Sequence, residues 1–293
     1  MVPSEKTNQY RGRLAPTPSG RLHLGHAYAF SIAAERAKQR NGKLILRMED
    51  LDHQRCRPED AEGVIEDLRW WGLSWDEGPD CGGEYGPYVQ SQRLNRYREV
   101  WRELMGRGTI YPSPHSRKDV ERALRAPHAS EESSEPIFPR EFRDDPKKYS
   151  STMEPGEVNW RFAVPDDVPM SFADLRAGVT ESVSGRDFGD FLVWRKDGYP
   201  SYELAVVVDD HDMGVTEVVR GEDLLTSTFR QLLIYRALEW PIPEFYHVPL
   251  IRNASGERLA KRNPSYTLCD FRDRGFTPSQ LIQSNFPELT GWT

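Results

Sequence analysis

The stretch from residue 12 to residue 48 constrains the fold more than any other part of this chain. A short apolar strand over residues 12–18 runs into a turn rich in proline and glycine. Residues 24–38 then carry apolar side chains at helical spacing. The helix meets a stop signal at Asn41-Gly42, and KLILRM, residues 43–48, reads as a second strand. Strand, helix and strand in that order make a βαβ unit, the building block of a parallel sheet.

The alternation continues. The carboxylate cluster Glu49, Asp50 and Asp52 precedes a helix predicted over residues 58–71, and another is predicted over residues 92–107. Residues 112–155 differ in composition, with Ser, Pro and Glu dominating HASEESSEP, and read as an insertion carrying a mobile loop. Strands are predicted over residues 158–164, 190–195 and 203–208, then a helix over residues 223–238 and a last one over residues 278–284. No internal repeat is present.

Composition narrows the function. The chain has 39 basic and 46 acidic residues, a net charge of −7, so it does not grip nucleic acid by overall positive charge, although a local basic surface is allowed. No stretch approaches the ~20 apolar residues of a membrane span, and the polar start lacks a signal peptide's apolar segment; a cytoplasmic protein is expected. Three widely separated cysteines, Cys56, Cys81 and Cys269, make neither a disulfide framework nor a CxxC metal knuckle.

The chemistry concentrates in PTPSGRLHLGH, residues 16–26, where the first strand delivers two histidines to the start of a helix. Free amides and the positive end of the helix dipole attract phosphate there. His23 and His26 share a helical face, and Gly25 lets a nucleotide approach the backbone. An HxxH alone describes an ordinary turn with surface histidines. A second segment, RLAKR at residues 258–262, alone describes a basic surface loop.

Together, and in this order, His23-Leu-Gly-His26 resembles the HIGH signature of class I aminoacyl-tRNA synthetases and Arg258-Leu-Ala-Lys-Arg262 resembles their KMSKS signature. RLAPT at residues 13–17, RMEDLD at 47–52, YELA at 202–205 and the long block VVVDDHDMGVTEVVRGEDL at 206–224 are similar to the glutamyl group of that class. The chain ends shortly after Arg262, and that brevity, with GVTEVVRGEDLLTSTFRQ, resembles the glutamyl-Q tRNA(Asp) synthetase family, whose members attach glutamate to the queuosine base in the anticodon of tRNA(Asp).

The resemblance implies an α/β fold: a class I synthetase Rossmann-type parallel sheet core with an inserted α+β acceptor-binding subdomain and a short helical C-terminal tail. Residues 1–110 and 189–293 would form the two halves of the core and residues 111–188 the insertion. It implies ATP and Mg²⁺ as cofactors, with His23, Gly25, His26, Arg258, Leu259, Ala260, Lys261 and Arg262 at the ATP and with His23, His26 and Lys261 catalytic. Ala260 stands where the signature usually has Ser, so one hydroxyl is missing. Glutamate would be held by Arg13, Leu14, Ala15, Pro16 and Thr17 with Glu49, Tyr202 and Arg220. A guanidinium pairs with carboxylate and an acid with the ammonium group, and which arginine takes which carboxylate stays open. Asp50, Asp52, Asp209 and Asp210 could equally be solvated or capping residues.

The family commonly has a zinc site in the insertion. The matching positions here are Ser113, His115, Phe138 and Phe142, of which only His115 can ligate zinc. No zinc or other metal site in the protein is expected, His128 is too irregularly spaced to complete one, and Phe138 and Phe142 could form a small apolar cluster instead. Expected partners are L-glutamate and queuosine-bearing tRNA(Asp), met by a monomer through Arg117, Lys118, Arg122, Arg125, Arg140, Arg143, Lys147 and Lys148, with no membrane. Two alternatives are a truncated glutamyl-tRNA synthetase acting on a tRNA 3′ end or other acceptor, and a paralogue that binds glutamate or ATP without turnover.

Overall fold

In the computed structural model of the chain, residues 9–115, 119–120, 137–149, 154–251, 267–286 and 289 are described. In chain order these form β1 (Arg11–Leu14), α1 (Leu24–Gln39), β2 (Lys43–Leu46), α2 (Pro58–Trp71), α3 (Leu94–Gly106), β3 (Ile110–Ser113), β4 (Asn159–Phe162), β5 (Val168–Asp174), β6 (Gly178–Ser184) and β7 (Phe191–Trp194). After these come α4 (Tyr202–Asp212), β8 (Glu217–Gly221), α5 (Leu225–Leu238), β9 (Glu244–Val248), α6 (Leu268–Asp273) and α7 (Pro278–Asn285). Two units result, one from residues 1–92, 212–224 and 243–293, the other from residues 93–211 and 225–242.

In the first unit β1 and β2 pair in parallel, as do β8 and β9. The amide of Thr216, just before β8, donates to the carbonyl of Arg11 at 2.9 Å, which sets β8 beside β1. α1 buries Leu24, Ala27, Tyr28, Phe30, Ala33 and Ala37 in the core, where Ser31 Oγ accepts the Trp71 indole N–H at 2.8 Å. Pro58 opens α2, and Gly72, at φ 96°, closes it in the left-handed conformation that a side chain resists. Glu217 is buried at the start of β8. It accepts from the Tyr10 hydroxyl at 2.9 Å and from Arg36 Nη2 at 2.7 Å, and burial together with this carboxylate pushes the Tyr10 phenol up.

The second unit holds an antiparallel sheet in the order β3-β4-β7 and a β5–β6 hairpin. Its core is built on Trp101, which meets Trp160 edge-on at 4.8 Å and lies 6.3 Å from Trp194. Tyr111 donates to Asp190 at 2.6 Å, and Arg143 bridges the same carboxylate to Asp166.

One predicted element is overturned: residues 203–208 are not a strand but the body of α4. Residues Glu203, Leu204, Ala205, Val206, Val207, Val208, Asp209 and Asp210 are all buried, so no polar face marks a helical period, and the valines favour a strand reading. Among the described residues, no helix is long and apolar enough to cross a membrane.

Candidate active site

The pairing of β1 with β2 continues beyond both strands. The Arg47 amide donates to the Leu14 carbonyl at 2.8 Å and the Glu49 amide to the Pro16 carbonyl at 3.0 Å. This lays Leu14, Ala15, Pro16 and Thr17 alongside Glu49 at the carboxyl ends of the strands, the side where open parallel sheets present ligand sites. Arg13 in β1 is 4% exposed, and its Nη1 donates to the Val219 carbonyl at 2.9 Å. Arg220 follows in β8 and is also buried. Three charged residues of the expected glutamate pocket are thus carried by β1, β8 and the segment that follows β2.

Glu49 has a buried partner. Arg47 is 0% exposed and its Nη2 lies 3.0 Å from Glu49 Oε1, with the Met213 sulfur 4.0 Å from Nη1. A buried carboxylate needs such a counter-charge to remain ionised and fixed. Arg47 stands in the sequence as the first letter of RMEDLD; its place near the end of the strand predicted over residues 43–48, two residues before Glu49, is the signal that could have found it.

His23 is the N-cap of α1. Its Nδ1 accepts from the Gly25 amide at 3.1 Å, and His26 Nδ1 accepts from the His23 amide at 3.4 Å, a reciprocal capping box made by two imidazoles. A nitrogen that accepts carries no proton, so each ring holds its proton on Nε2. The rings stack with centroids 3.8 Å apart. A second residue absent from sequence reasoning fixes the approach to this cap. Asp67, fully buried on α2, accepts from the Leu22 amide at 3.0 Å and from Arg21 Nη2 at 2.6 Å. Burial pushes the Asp67 carboxyl up, opposed by these same donors.

Arg258, Leu259, Ala260, Lys261 and Arg262 lie outside the described residues, as do Arg117, Lys118, Arg122, Arg125 and His128. The chain is described again from Thr267, which bridges to His23, while the Leu268 amide donates to the Leu22 carbonyl at 2.7 Å. Tyr202 is the first residue of α4 in the second unit and is 38% exposed. The flanking acids have structural duties. Asp50 accepts from the Ser91 amide at 2.8 Å and hydroxyl at 2.6 Å, and Asp209 accepts from Tyr97 at 2.9 Å and Arg93 at 2.7 Å.

At the positions matching the family's zinc ligands, His115 stacks on Phe142 with centroids 3.9 Å apart and Phe138 meets Phe142 edge-on at 5.9 Å. Phe138 is buried against Tyr111 and Val120, and the Arg161 guanidinium sits 4.0 Å from its ring centroid. The apolar cluster expected from Phe138 and Phe142 is present.

Residues 9–293 match the family of class I tRNA synthetases (E and Q), catalytic domain, and the chain belongs to that family, an enzyme of the aminoacyl-tRNA ligase type. It is 46% identical over 273 residues to the glutamyl-Q tRNA(Asp) synthetase of Symbiobacterium thermophilum, covering 92% of this chain and 84% of the relative. It is likewise 46% identical over 283 residues to that of Nitratidesulfovibrio vulgaris, covering 96% and 86%. The crystal structure of the glutamate-tRNA synthetase from Elizabethkingia anophelis superposes with a TM-score of 0.74 at 30% identity, over 92% of this chain and 54% of that one, so the chain spans about half of that structure's length.

Proposed function

We propose that the enzyme activates L-glutamate with ATP and transfers the glutamyl group to the queuosine base in the anticodon of tRNA(Asp). The observation that carries the first half is the grouping of Arg13, Glu49 and Arg220 at the carboxyl-end side of neighbouring strands, next to a helix capped by two histidines. The second half rests on the similarity to the two glutamyl-Q tRNA(Asp) synthetases.

Activation needs two anions held together. Arg13 and Arg220 are suited to the glutamate carboxylates and Glu49 to the ammonium group, and the resemblance adds Tyr202 as a glutamate-binding residue. A carboxylate oxygen of glutamate attacks the α-phosphorus of ATP, the bond to the bridging oxygen breaks, and pyrophosphate leaves with that electron pair. His23 and His26 offer Nε2–H to phosphate oxygens beside the start of α1, and Lys261, with Arg258 and Arg262, stabilises charge on the transferring group. Gly25 leaves room for the nucleotide at the cap. Mg²⁺ arrives as the counterion of the ATP phosphates, which requires no protein cage.

Transfer is a substitution at the acyl carbon. A hydroxyl of the queuosine cyclopentenediol attacks the carbonyl of the adenylate, AMP departs, and the hydroxyl proton ends on the departing phosphate or on water. Residues 111–188 would present the acceptor, through Arg140, Arg143, Lys147 and Lys148 among others. Such an enzyme works on cytoplasmic tRNA, as a monomer.

The experiment is glutamate-dependent exchange of labelled pyrophosphate into ATP, followed by acceptor assays with queuosine-containing tRNA(Asp), tRNA(Asp) lacking queuosine, and tRNA(Glu). Exchange and transfer confined to the queuosine-containing tRNA are expected. Charging of tRNA(Glu) would instead make it a short glutamyl-tRNA ligase, and no exchange under any condition would make it a binding protein.

A further inference from the structure

Arg220 in β8 stands opposite His247 in β9 in the parallel register of the two strands. His247 is 0% exposed and Arg220 is 5% exposed. Arg220 Nε donates to His247 Nε2 at 3.3 Å. Phe245, two residues earlier and therefore on the same face of β9, lies nearly parallel to the imidazole at 6.1 Å, and the Arg220 guanidinium carbon is 5.6 Å from the Phe245 ring centroid.

Geometry fixes the protonation of this histidine. Arginine can only donate, so His247 Nε2 must be unprotonated and the imidazole is neutral with its proton on Nδ1. A neutral acceptor orients a guanidinium without itself subtracting from the positive charge. A carboxylate in the same place would pair with Arg220 and compete directly with any carboxylate brought by a substrate. The ring is also buried, so the bond restricts the Nε edge of the fork.

We infer that His247 is a positioning residue for amino-acid recognition. It fixes the Arg220 guanidinium in the orientation that meets a carboxylate of the amino-acid substrate, and so acts on glutamate affinity through Arg220 without touching glutamate. The inference rests on the reading of Arg220 as a glutamate-binding residue.

The test uses the full chain and steady-state pyrophosphate exchange, with KM for glutamate and KM for ATP measured separately in the wild type, His247→Leu and His247→Gln. The glutamine side-chain oxygen can accept where Nε2 does; leucine cannot. The expected result is a rise of about tenfold in glutamate KM for His247→Leu, the scale of one hydrogen bond to a charged group. ATP KM should stay within about twofold, and His247→Gln should recover most of the loss. If the leucine variant does not fold, the cycle of His247→Phe, which keeps a ring but cannot accept, with Arg220→Lys decides: a residue that acts through Arg220 adds nothing once Arg220 is lysine, and additive effects overturn the inference. An unchanged glutamate KM in a folded leucine variant overturns it too, as does a rise of both KM values together or failure of glutamine to rescue. A wild-type protein without glutamate-dependent exchange overturns the functional reading itself, and this inference with it.

Discussion

Thr267 is bridged to His23, the N-cap of the helix that carries the first signature, and the following amide, of Leu268, donates to the Leu22 carbonyl at 2.7 Å. Thr267, the first described residue after the second signature segment, therefore lies beside the first signature. Thr267 is itself an N-cap, its hydroxyl accepting from the Asp270 amide at 3.2 Å and donating to the Asp270 carboxylate at 2.6 Å. Thr267→Ala removes the cap, and a stability loss of about 1 kcal/mol is expected in urea unfolding. Pyrophosphate exchange should fall as well, because the lost cap loosens a segment paired with His23.

Lys261→Ala should lower glutamate-dependent exchange by about 100-fold or more, the cost of removing one charge stabiliser from a reacting phosphoryl centre. Thermal unfolding should be unaltered, and Ala260→Ser, which restores the missing hydroxyl, should leave exchange equal or raise it. Wild-type exchange in the alanine variant would remove Lys261 from the mechanism.

Two glycines make opposite predictions. A Cβ on Gly42 would fall 2.5 Å from the Tyr10 carbonyl oxygen and 2.4 Å from its ring, and backbone cannot step aside. Gly42→Ala should cost about 2 kcal/mol or more. A Cβ on Gly63 would fall 2.4 Å from Arg21 Nη1, the far end of a flexible side chain, so Gly63→Ala should cost well under that while weakening the Arg21 pair with Asp67. Urea midpoints of the two variants test the contrast.

Burial and the Glu77 carboxylate push the Tyr88 phenol from 10.0 up to about 12, its hydroxyl donating to Glu77 at 2.5 Å. A raised pKa in the folded state means that this contribution is complete below pH 10.0 and is lost as pH rises toward about 12. For Glu77, desolvation acts upward, but hydrogen bonds from Tyr88 and Arg11 outweigh it and hold the carboxyl below 4.5, so its contribution is present above that pH and lost on acidification. Urea unfolding across pH should show an alkaline decline that Tyr88→Phe flattens.

The ring cluster of His115, Phe138 and Phe142 should hold its part of the chain without metal. Phe142→Ala is expected to cost about 1–3 kcal/mol, less than for a fully buried ring. The melting temperature of the wild type should be the same with and without a chelator. A drop on chelation would point to a bound ion.

Much of the first unit was legible because its signals are local. The proline and glycine of the turn, the Asn41-Gly42 stop and the Pro58 start each act within a few residues, and α2 and α7 begin at the predicted residues. The last turn of α7 differs by one residue, within ordinary end fraying. What failed was the buried interior. Nothing in ELAVVVDD separates a helix surrounded by core from a strand, and β8 and β9 are short runs whose pairing is set by contacts across more than twenty residues. The site divided along the same line. His23 and His26 are proposed on a spacing that the sequence displays, whereas the contacts of Asp67 and His247 exist only in three dimensions.

The amide hydrogen bonds from Arg47 to Leu14 and from Glu49 to Pro16 carry the strand pairing into the proposed glutamate pocket. The acid and the turn facing it are consequently spaced by main-chain pitch, as marks on a ruler, and cannot creep together or apart by fractions of a residue. A descendant of this enzyme that came to prefer a shorter or longer amino acid would have to exchange side chains one at a time, because the frame beneath them offers no intermediate width.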